Sequence, residues 1–248
     1  MLPLRDVNPT RARPIITWAV IVGCAVVFFA LQPPSGSQEE IEFLYERAAI
    51  ACELTTGTPL DLDEINGEFC LNEPGDPYFS DKNIWLAAGV SMFLHGGIAH
   101  LLFNMWSLWI FGNNVEEAFG HVGYVIFYLA AGVAATVGFV AVNPDLTVPL
   151  IGASGAIAGV MGAYVVLFPR HLILTIIFFF VTAVPAIVFL GFWFVSQFAI
   201  AGSETGIAWE AHVAGFIFGV IVTLPFRQRL LANTLSGDRP QRTGRLAR

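Results

Sequence analysis

The chain carries its apolar residues in long, nearly uncharged blocks, and this pattern constrains the fold more than any other feature. Hydrophobic residues make up 56% of the 248 residues and charged residues only 12%, about half the charged fraction of an ordinary soluble domain. Crossing the hydrocarbon core of a bilayer takes roughly 20 apolar residues as a helix. The sequence therefore predicts an all-α, polytopic membrane protein with six transmembrane helices. The predicted spans are 15–31, 97–113, 121–142, 150–168, 172–200 and 207–226.

The first block admits a second interpretation, a cleaved signal peptide, because Arg11 and Arg13 precede its hydrophobic stretch. The end of the block, from Phe28 to Gln32, lacks a small-x-small cleavage site. We therefore expect an uncleaved first span.

The charges are divided between the two ends of these spans. Residues 32–97 hold twelve of the nineteen acidic residues, whereas ten of the twelve basic residues lie near the N-terminus, at Arg170 or after residue 226. By the positive-inside rule, both termini then lie in the cytosol, and we expect the protein in the cell membrane. The predicted organisation is a cytoplasmic segment 1–14, a six-helix membrane domain 15–226 with an acidic external loop 32–96, and a basic cytoplasmic tail 227–248.

Two of the three cysteines, Cys52 and Cys70, fall in this external loop. A disulfide is chemically permitted on that side of the membrane. The sequence leaves open whether the two are bridged, and it contains no motif that explains the acidic loop.

Three polar side chains lie at one depth inside the predicted spans, where polar groups are costly and call for a reason. Depth is measured here from the first charged residue at the cytosolic end of each span, at ~1.5 Å of helix rise per residue. Ser154, His212 and His100 then lie about 24, 22 and 24 Å from that charged residue. All three are therefore expected at the same level, in the outer half of the bilayer.

Small residues predict close contact between the fourth and sixth spans. Stripes of glycine let helix backbones approach each other in lipid. His212 shares one helix face with the glycines that follow it, so this contact would bring it towards Ser154. The stripes consist of Gly152, Gly155, Gly159 and Gly162 in the fourth span and of Gly215 and Gly219 in the sixth.

These residues suit acyl transfer. A serine hydroxyl becomes a nucleophile when a neighbouring base accepts its proton, and histidine is the usual base. Negative charge then develops on the substrate carbonyl oxygen, where hydrogen-bond donors must be aimed. His100 and Asn104, spaced i and i+4, project from one face of the second span. Together with the backbone N–H of Ser154 they are expected to form an oxyanion hole.

His95 and Glu210 lie near these residues in the sequence, but we expect neither to take part in the reaction. His95 lies in the loop entering the second span, and we expect it to hold that loop by hydrogen bonding rather than to join the oxyanion hole. Glu210 is two residues from His212 and would point away from it on a helix. The sequence thus predicts a serine–histidine dyad without an acidic third member.

Three motifs, in this order, resemble those of the rhomboid family of intramembrane serine proteases. They are His95-x4-His100-x3-Asn104, Gly152-x-Ser154-Gly155 and Ala211-His212-x2-Gly215-x3-Gly219. The resemblance implies a six-helix core, a Ser–His dyad, no metal or cofactor, and transmembrane protein substrates with a single span. It also implies a cut near the outer bilayer surface, with the fifth span and the loop into the sixth acting as a gate and a cap.

The chain departs from the pattern of that family at two positions. Many members carry Trp-Arg in the first external loop, whereas Trp85 is followed here by leucine. Some members have an aromatic residue four positions after the serine, where it can support the histidine ring; this chain has Ala158. The orientation of His212 is thus left without a predicted support.

Other functions fit the sequence less well. A zinc metalloprotease would need His-Glu-x-x-His on a helix, and a transporter would need ionisable residues along a path through both leaflets. A catalytically inactive rhomboid-like protein that binds membrane helices is the main alternative. We expect the lipid bilayer and membrane proteins as partners and no nucleic acid; the oligomeric state stays open.

Overall fold

Helices account for 65% of the structure, which confirms the prediction of a mostly helical fold. The computed structural model describes residues 1–67, 69–71, 75–201 and 206–235. The prediction of an all-α fold is wrong in one respect, because a three-stranded and a two-stranded β-sheet accompany the helices in the described residues. Both sheets are small, and both join segments that are distant in the sequence.

The N-terminal segment is attached to the helices that follow it. Strand β1 (Leu2–Asp6) precedes helix α1 (Ile15–Val26), which continues as a π-helical stretch, Val27–Leu31. The buried carboxylate of Glu116 accepts hydrogen bonds from the backbone N–H of Thr17 at 2.8 Å and from its hydroxyl at 2.7 Å. Glu116 therefore satisfies an N–H group that the start of a helix leaves without an intrahelical partner.

The described residues of the acidic segment 32–96, which the sequence predicts to be an external loop, are folded. Cys52 and Cys70 are joined by a disulfide with their Cα atoms 5.8 Å apart, so the bridge that the sequence left open is formed. Nearby, Lys82 Nζ and Glu53 Oε2 form a buried ion pair at 2.6 Å. The elements of this segment are α2 (Gln38–Arg47), β2 (Ala49–Ile50), α3 (Ala51–Thr56), α4 (Leu62–Gly67), α5 (Ile84–Val90) and the 3-10 turn Ser91–Phe93.

The second and third predicted spans form one long helix with a break. Helix α6 (Ile98–Val142) has non-helical backbone at Gly120, with φ 70° and ψ 160°. This is a left-handed conformation that glycine adopts without steric cost. The break falls between the predicted spans 97–113 and 121–142, so the chain can reverse direction there.

The segment before the predicted nucleophile is held by the second sheet. Strand β3 (Pro149–Leu150) pairs antiparallel with β2, with Ala49 opposite Leu150. Helix α7 (Ser154–Leu167) begins four residues later. The acidic segment is thus hydrogen-bonded to the loop that leads into α7.

The fifth predicted span, 172–200, is wrong in its first half. Residues there form a hairpin of strands β4 (Leu172–Ile177) and β5 (Phe180–Pro185), and β4 also pairs with β1. A short apolar run does not reveal by its periodicity whether it is a strand or a helix, and the β-branched residues of this run favour a strand. At the turn, the Phe178 and Phe179 side chains are 88% and 96% exposed.

The remaining elements are helical. The predicted cytoplasmic tail, 227–248, begins as a helix, and its residues from 236 onwards lie outside the described part of the chain. The elements are α8 (Ala186–Ala199), α9 (Trp209–Thr223), the 3-10 turn Leu224–Phe226 and α10 (Arg227–Leu235).

Two helices in the described residues are long and apolar enough to cross a membrane, namely Ile98–Val142 and Trp209–Thr234. The first of them contains the break at Gly120. The count of six spans therefore stays a prediction. The apolar helices that fall below this length are Ile15–Leu31, Ile84–Phe93, Ser154–Leu167 and Ala186–Ala199.

Candidate active site

The structure brings Ser154 and His212 into hydrogen-bond contact, although 58 residues separate them. Ser154 Oγ lies 2.8 Å from His212 Nε2. Ser154 is the first residue of α7, and His212 lies in the first turn of α9. Both side chains are partly buried. The pair has the geometry that a serine nucleophile and its general base require.

Glycines allow α7 and α9 to approach closely enough for this contact. A Cβ atom on Gly215 would lie 2.1 Å from the carbonyl oxygen of Gly155, and one on Gly219 would lie 2.0 Å from that of Gly159. Neither distance leaves room for any side chain. The two backbones therefore touch directly, along the glycine stripes identified in the sequence.

His100 and Asn104 converge on the turn that precedes Ser154. A Cβ atom on Gly152 would lie 2.8 Å from His100 Nε2 and 3.7 Å from Asn104 Nδ2. Gly152 also has a φ of 118°, which side chains disfavour, so glycine is needed there for both space and backbone. Asn104 Nδ2 is buried and has no hydrogen-bond partner among the described residues. This N–H group can therefore donate a hydrogen bond to an oxygen atom of a molecule bound in the site.

His95 helps to hold the loop that enters α6 in place through hydrogen bonds. Its side chain is 0% exposed, and its Nδ1 lies 3.2 Å from the carbonyl oxygen of Phe93. Its backbone N–H and C=O are both bonded to the side-chain amide of Gln32, at 2.9 and 3.0 Å. The His95 ring also packs on that of His100, with 5.2 Å between centroids. Gln32, which the sequence reasoning missed, thus fixes the loop to the end of the first helix.

Ser91 connects the acidic segment to the loop before Ser154. Its hydroxyl accepts a hydrogen bond from the backbone N–H of Ala49 at 3.1 Å and donates one to the carbonyl oxygen of Leu150. Its own carbonyl oxygen accepts one from the N–H of Gly152 at 3.0 Å. The backbone position of Gly152 therefore depends on contacts with the acidic segment as well as on α6.

Gln197 on α8 makes the second polar contact of His212. Gln197 Oε1 lies 2.7 Å from His212 Nδ1. The Trp193 ring, one turn earlier on α8, lies 5.9 Å from the histidine ring. The sequence did contain a signal, since a glutamine inside an apolar block calls for a partner. The spacing of residues within one helix does not show which residue of another helix is that partner.

A cavity of about 850 Å³ lies beside these residues and is lined by Ser154, His212, His100 and Asn104 together. A substrate bound there would meet the nucleophile, the base and the two candidate donors. The described residues also contain a cluster of metal-ligand type in the acidic segment, formed by Cys52, Glu64 and Cys70. Its two sulfur atoms are joined in the disulfide, so they are not available as thiolate ligands.

A bundle of apolar helices that sets a serine hydroxyl against a histidine ring, next to hydrogen-bond donors, defines a site of the serine hydrolase type. The family model described as the rhomboid domain matches residues 82–229, which is more than half of the chain. The protein belongs to the rhomboid family.

Two curated relatives illustrate the similarity. The chain is 34% identical over 185 residues to Rhomboid protease GluP of Bacillus subtilis, a match that covers 69% of the chain and 35% of the relative. It is 31% identical over 143 residues to the mitochondrial Rhomboid protein 1 of Saccharomyces cerevisiae, covering 53% of the chain and 39% of the relative. The chain thus spans well under half the length of either relative.

Proposed function

We propose that the protein is an intramembrane serine endopeptidase that cleaves single-span membrane proteins near the outer bilayer surface. The observation that carries the proposal is the 2.8 Å contact between Ser154 Oγ and His212 Nε2 on two apolar helices. Membership of the rhomboid family supports the same activity, as does the relative named as a rhomboid protease.

The reaction proceeds through an acyl-enzyme. His212 Nε2 accepts the proton of Ser154 Oγ while the oxygen attacks the scissile carbonyl carbon, and His212 then gives that proton to the leaving amine. A water molecule attacks the resulting ester with His212 again as the base, which releases the second product and restores the serine. Proton transfer and hydrogen-bond donors suffice for this chemistry, so no metal or cofactor is part of the proposal.

Three donors form the proposed oxyanion hole: the backbone N–H of Ser154, Asn104 Nδ2 and the ring of His100. The N–H of Ser154 belongs to the first turn of α7, where a helix has unpaired donors and a partial positive charge. The unpartnered, buried Asn104 Nδ2 supports the same assignment. Donors of this kind stabilise the oxyanion most effectively where water is excluded.

The depth of the cut follows from the length and direction of α7. Ser154 and Leu167 are the ends of α7, ~20 Å apart at 1.5 Å per residue. At the far end, Arg227 Nε donates a hydrogen bond to the carbonyl oxygen of Val166 at 2.8 Å. With the arginines in the cytosol, the serine lies towards the outer surface.

We place both termini in the cytosol and count six spans in the cell membrane, with the two halves of α6 as separate spans.

The choice of substrate depends on how easily the transmembrane helix of the substrate unwinds. The carbonyl oxygens of a transmembrane helix are already hydrogen-bonded within the helix. A peptide carbonyl reaches Ser154 only if that helix unwinds locally. The expected substrates therefore carry small or helix-breaking residues near the outer end of their single span.

Cleavage of a single-span reporter in proteoliposomes tests the proposal. Ser154→Ala and His212→Ala should each lower kcat/KM by at least roughly 1,000-fold while the thermal unfolding temperature stays within a few degrees of wild type. His171→Ala is the matched control, because His171 packs against Phe168 at the other end of α7 and should leave cleavage unchanged.

Two outcomes would contradict the proposal. Cleavage at the wild-type rate by either variant would exclude the dyad. Folded wild-type protein that binds the reporter, but neither cuts it nor reacts with a fluorophosphonate probe, would instead indicate a non-catalytic protein that binds membrane helices.

A further inference from the structure

The Gln197 side chain is held so that its carbonyl oxygen faces the catalytic histidine. The residue is 5% exposed. Its Nε2 donates hydrogen bonds to the carbonyl oxygen of Trp193 at 3.1 Å and to Ser196 Oγ at 3.4 Å. Because the amide nitrogen is satisfied within α8, Oε1 is the atom left to face His212 Nδ1 at 2.7 Å.

This contact determines which ring nitrogen of His212 carries the proton. An amide oxygen only accepts hydrogen bonds, so Nδ1 must be the donor. In the neutral ring, Nε2 is then left with a lone pair, and it faces Ser154 Oγ at 2.8 Å. The opposite tautomer would place a proton between Nε2 and Oγ and would leave the serine without a base.

We infer that Gln197 is a positioning residue, which fixes the tautomer and the ring direction of His212 as the third member of the site. The inference rests on the proposed protease function. In the Ser-His-Asp triad of soluble serine proteases, an aspartate orients the histidine. In this protein the neutral amide of Gln197 orients it, and an amide costs much less to bury in an apolar bundle than a carboxylate does.

The packing of α8 on α9 keeps Gln197 in place. The ring of Phe194 lies 4.8 Å from that of Phe216, and the ring of Phe198 lies 5.6 Å from that of Trp209. These contacts flank Gln197 along α8 and hold the helix against the one that carries His212. On the α7 side, the position four residues after the nucleophile is the buried Ala158, whose methyl group is too small to support a ring. The orientation of His212 therefore depends on α8.

Two substitutions separate the role of the hydrogen bond from that of packing. Gln197→Met keeps the length of the side chain and removes the acceptor. Gln197→Glu keeps an acceptor for Nδ1, and in its neutral form it also keeps a donor for the carbonyl oxygen of Trp193. Val195→Ala is the matched control, since Val195 lies on the exposed face of the same helix.

The experiment measures kcat and KM for reporter cleavage, together with the rate of fluorophosphonate labelling and the thermal unfolding temperature. Gln197→Met should lower kcat and the labelling rate by roughly 10- to 100-fold, because it leaves a buried N–H without a partner. KM should stay within about twofold of wild type, since the lost interaction does not contact bound substrate. Gln197→Glu should restore kcat to within about threefold of wild type, and Val195→Ala should match wild type.

Wild-type kcat in Gln197→Met would overturn the inference, as would equal loss of kcat in the Met and Glu variants. If only the unfolding temperature or KM changed, Gln197 would be a packing residue. Each of these results presupposes that the wild type cleaves and that Ser154→Ala does not. A wild-type protein that neither cleaves nor labels would overturn the proposed function itself, so the two failures are distinguishable.

Discussion

Gly219→Ala is the most direct test of how the serine and histidine are brought together. The added Cβ would lie 2.0 Å from the carbonyl oxygen of Gly159, 2.8 Å from its carbonyl carbon and 3.0 Å from its Cα. All three are backbone atoms of α7, so no side chain can rotate away to relieve the clash. The oxygen must retreat by about 1.4 Å before it reaches an ordinary van der Waals separation.

This displacement acts on the proposed catalytic pair, because Ser154 and His212 lie on the two helices that must separate. Ser154 moves with α7 and His212 with α9, and their hydrogen bond is 2.8 Å long. A misplacement of ~1 Å costs about 100-fold in rate, and overpacking of this kind costs about 1 to 3 kcal/mol of stability. We therefore expect kcat/KM to fall by roughly 100-fold and the unfolding temperature to fall with it.

The matched control is Gly191→Ala on α8, where the added Cβ meets no atom within 4 Å. It should leave cleavage unchanged, because it adds the same methyl group without a clash. The assay is reporter cleavage in proteoliposomes, with thermal unfolding measured on the same preparations. Wild-type kcat/KM and unfolding temperature in Gly219→Ala would refute the reasoning, since the bundle would then absorb the displacement without disturbing the pair.

Two further predictions concern single polar groups. Asn104→Ala should lower kcat by about 100-fold with little change in KM, because it removes one oxyanion donor; a steady-state comparison with wild type checks this, and an unchanged kcat would remove Asn104 from the oxyanion hole. Burial raises the pKa of Asp6, on the N-terminal strand, from 3.8 to about 6, so its stabilising contribution is complete below pH 3.8 and is lost as the pH rises through 6. The free energy of unfolding of Asp6→Asn should therefore match that of wild type near pH 4 and exceed it by about 1 kcal/mol at pH 7.5, after allowance for the partial exposure of Asp6. A stability gap of equal size at both pH values would contradict this origin.

The sequence was most informative where function depends on residue type and depth. Ser154, His212, His100 and Asn104 were all identified from polar groups inside apolar blocks, and the structure gathers them around one cavity. Residue counts along the helices predicted one common level for Ser154 and His212, and the two side chains are in contact in the structure. Glycine spacing also indicated which helices touch, since a contact without side chains leaves a visible pattern.

The features that the sequence did not reveal depend on contacts between distant segments. The strands Ala49–Ile50 and Pro149–Leu150 are two residues long, too short to give a periodic signal, and they form only by pairing with each other. The hairpin in residues 172–185 has the apolar composition of a membrane helix, so composition alone assigned it wrongly. The contact of Gln197 was also missed, because His212 lies on another helix, and spacing within one helix does not show which side chains of two helices face each other.

The location of the site explains its chemistry. A charged third residue beside His212 would have to be buried among apolar helices, where an ionised group is costly. The polar contacts of His212 are instead with the hydroxyl of Ser154 and the amide of Gln197, both of which are neutral. The charged Arg227 and Glu116 lie at the opposite end of the bundle, where they bind the backbone of α7 and the start of α1. In the proposed mechanism, a neutral third member orients the base but does little to stabilise the imidazolium that forms when Ser154 attacks. More of the transition-state stabilisation must then come from the oxyanion donors, so substitutions at Asn104 should lower kcat more than the loss of the acceptor at Gln197.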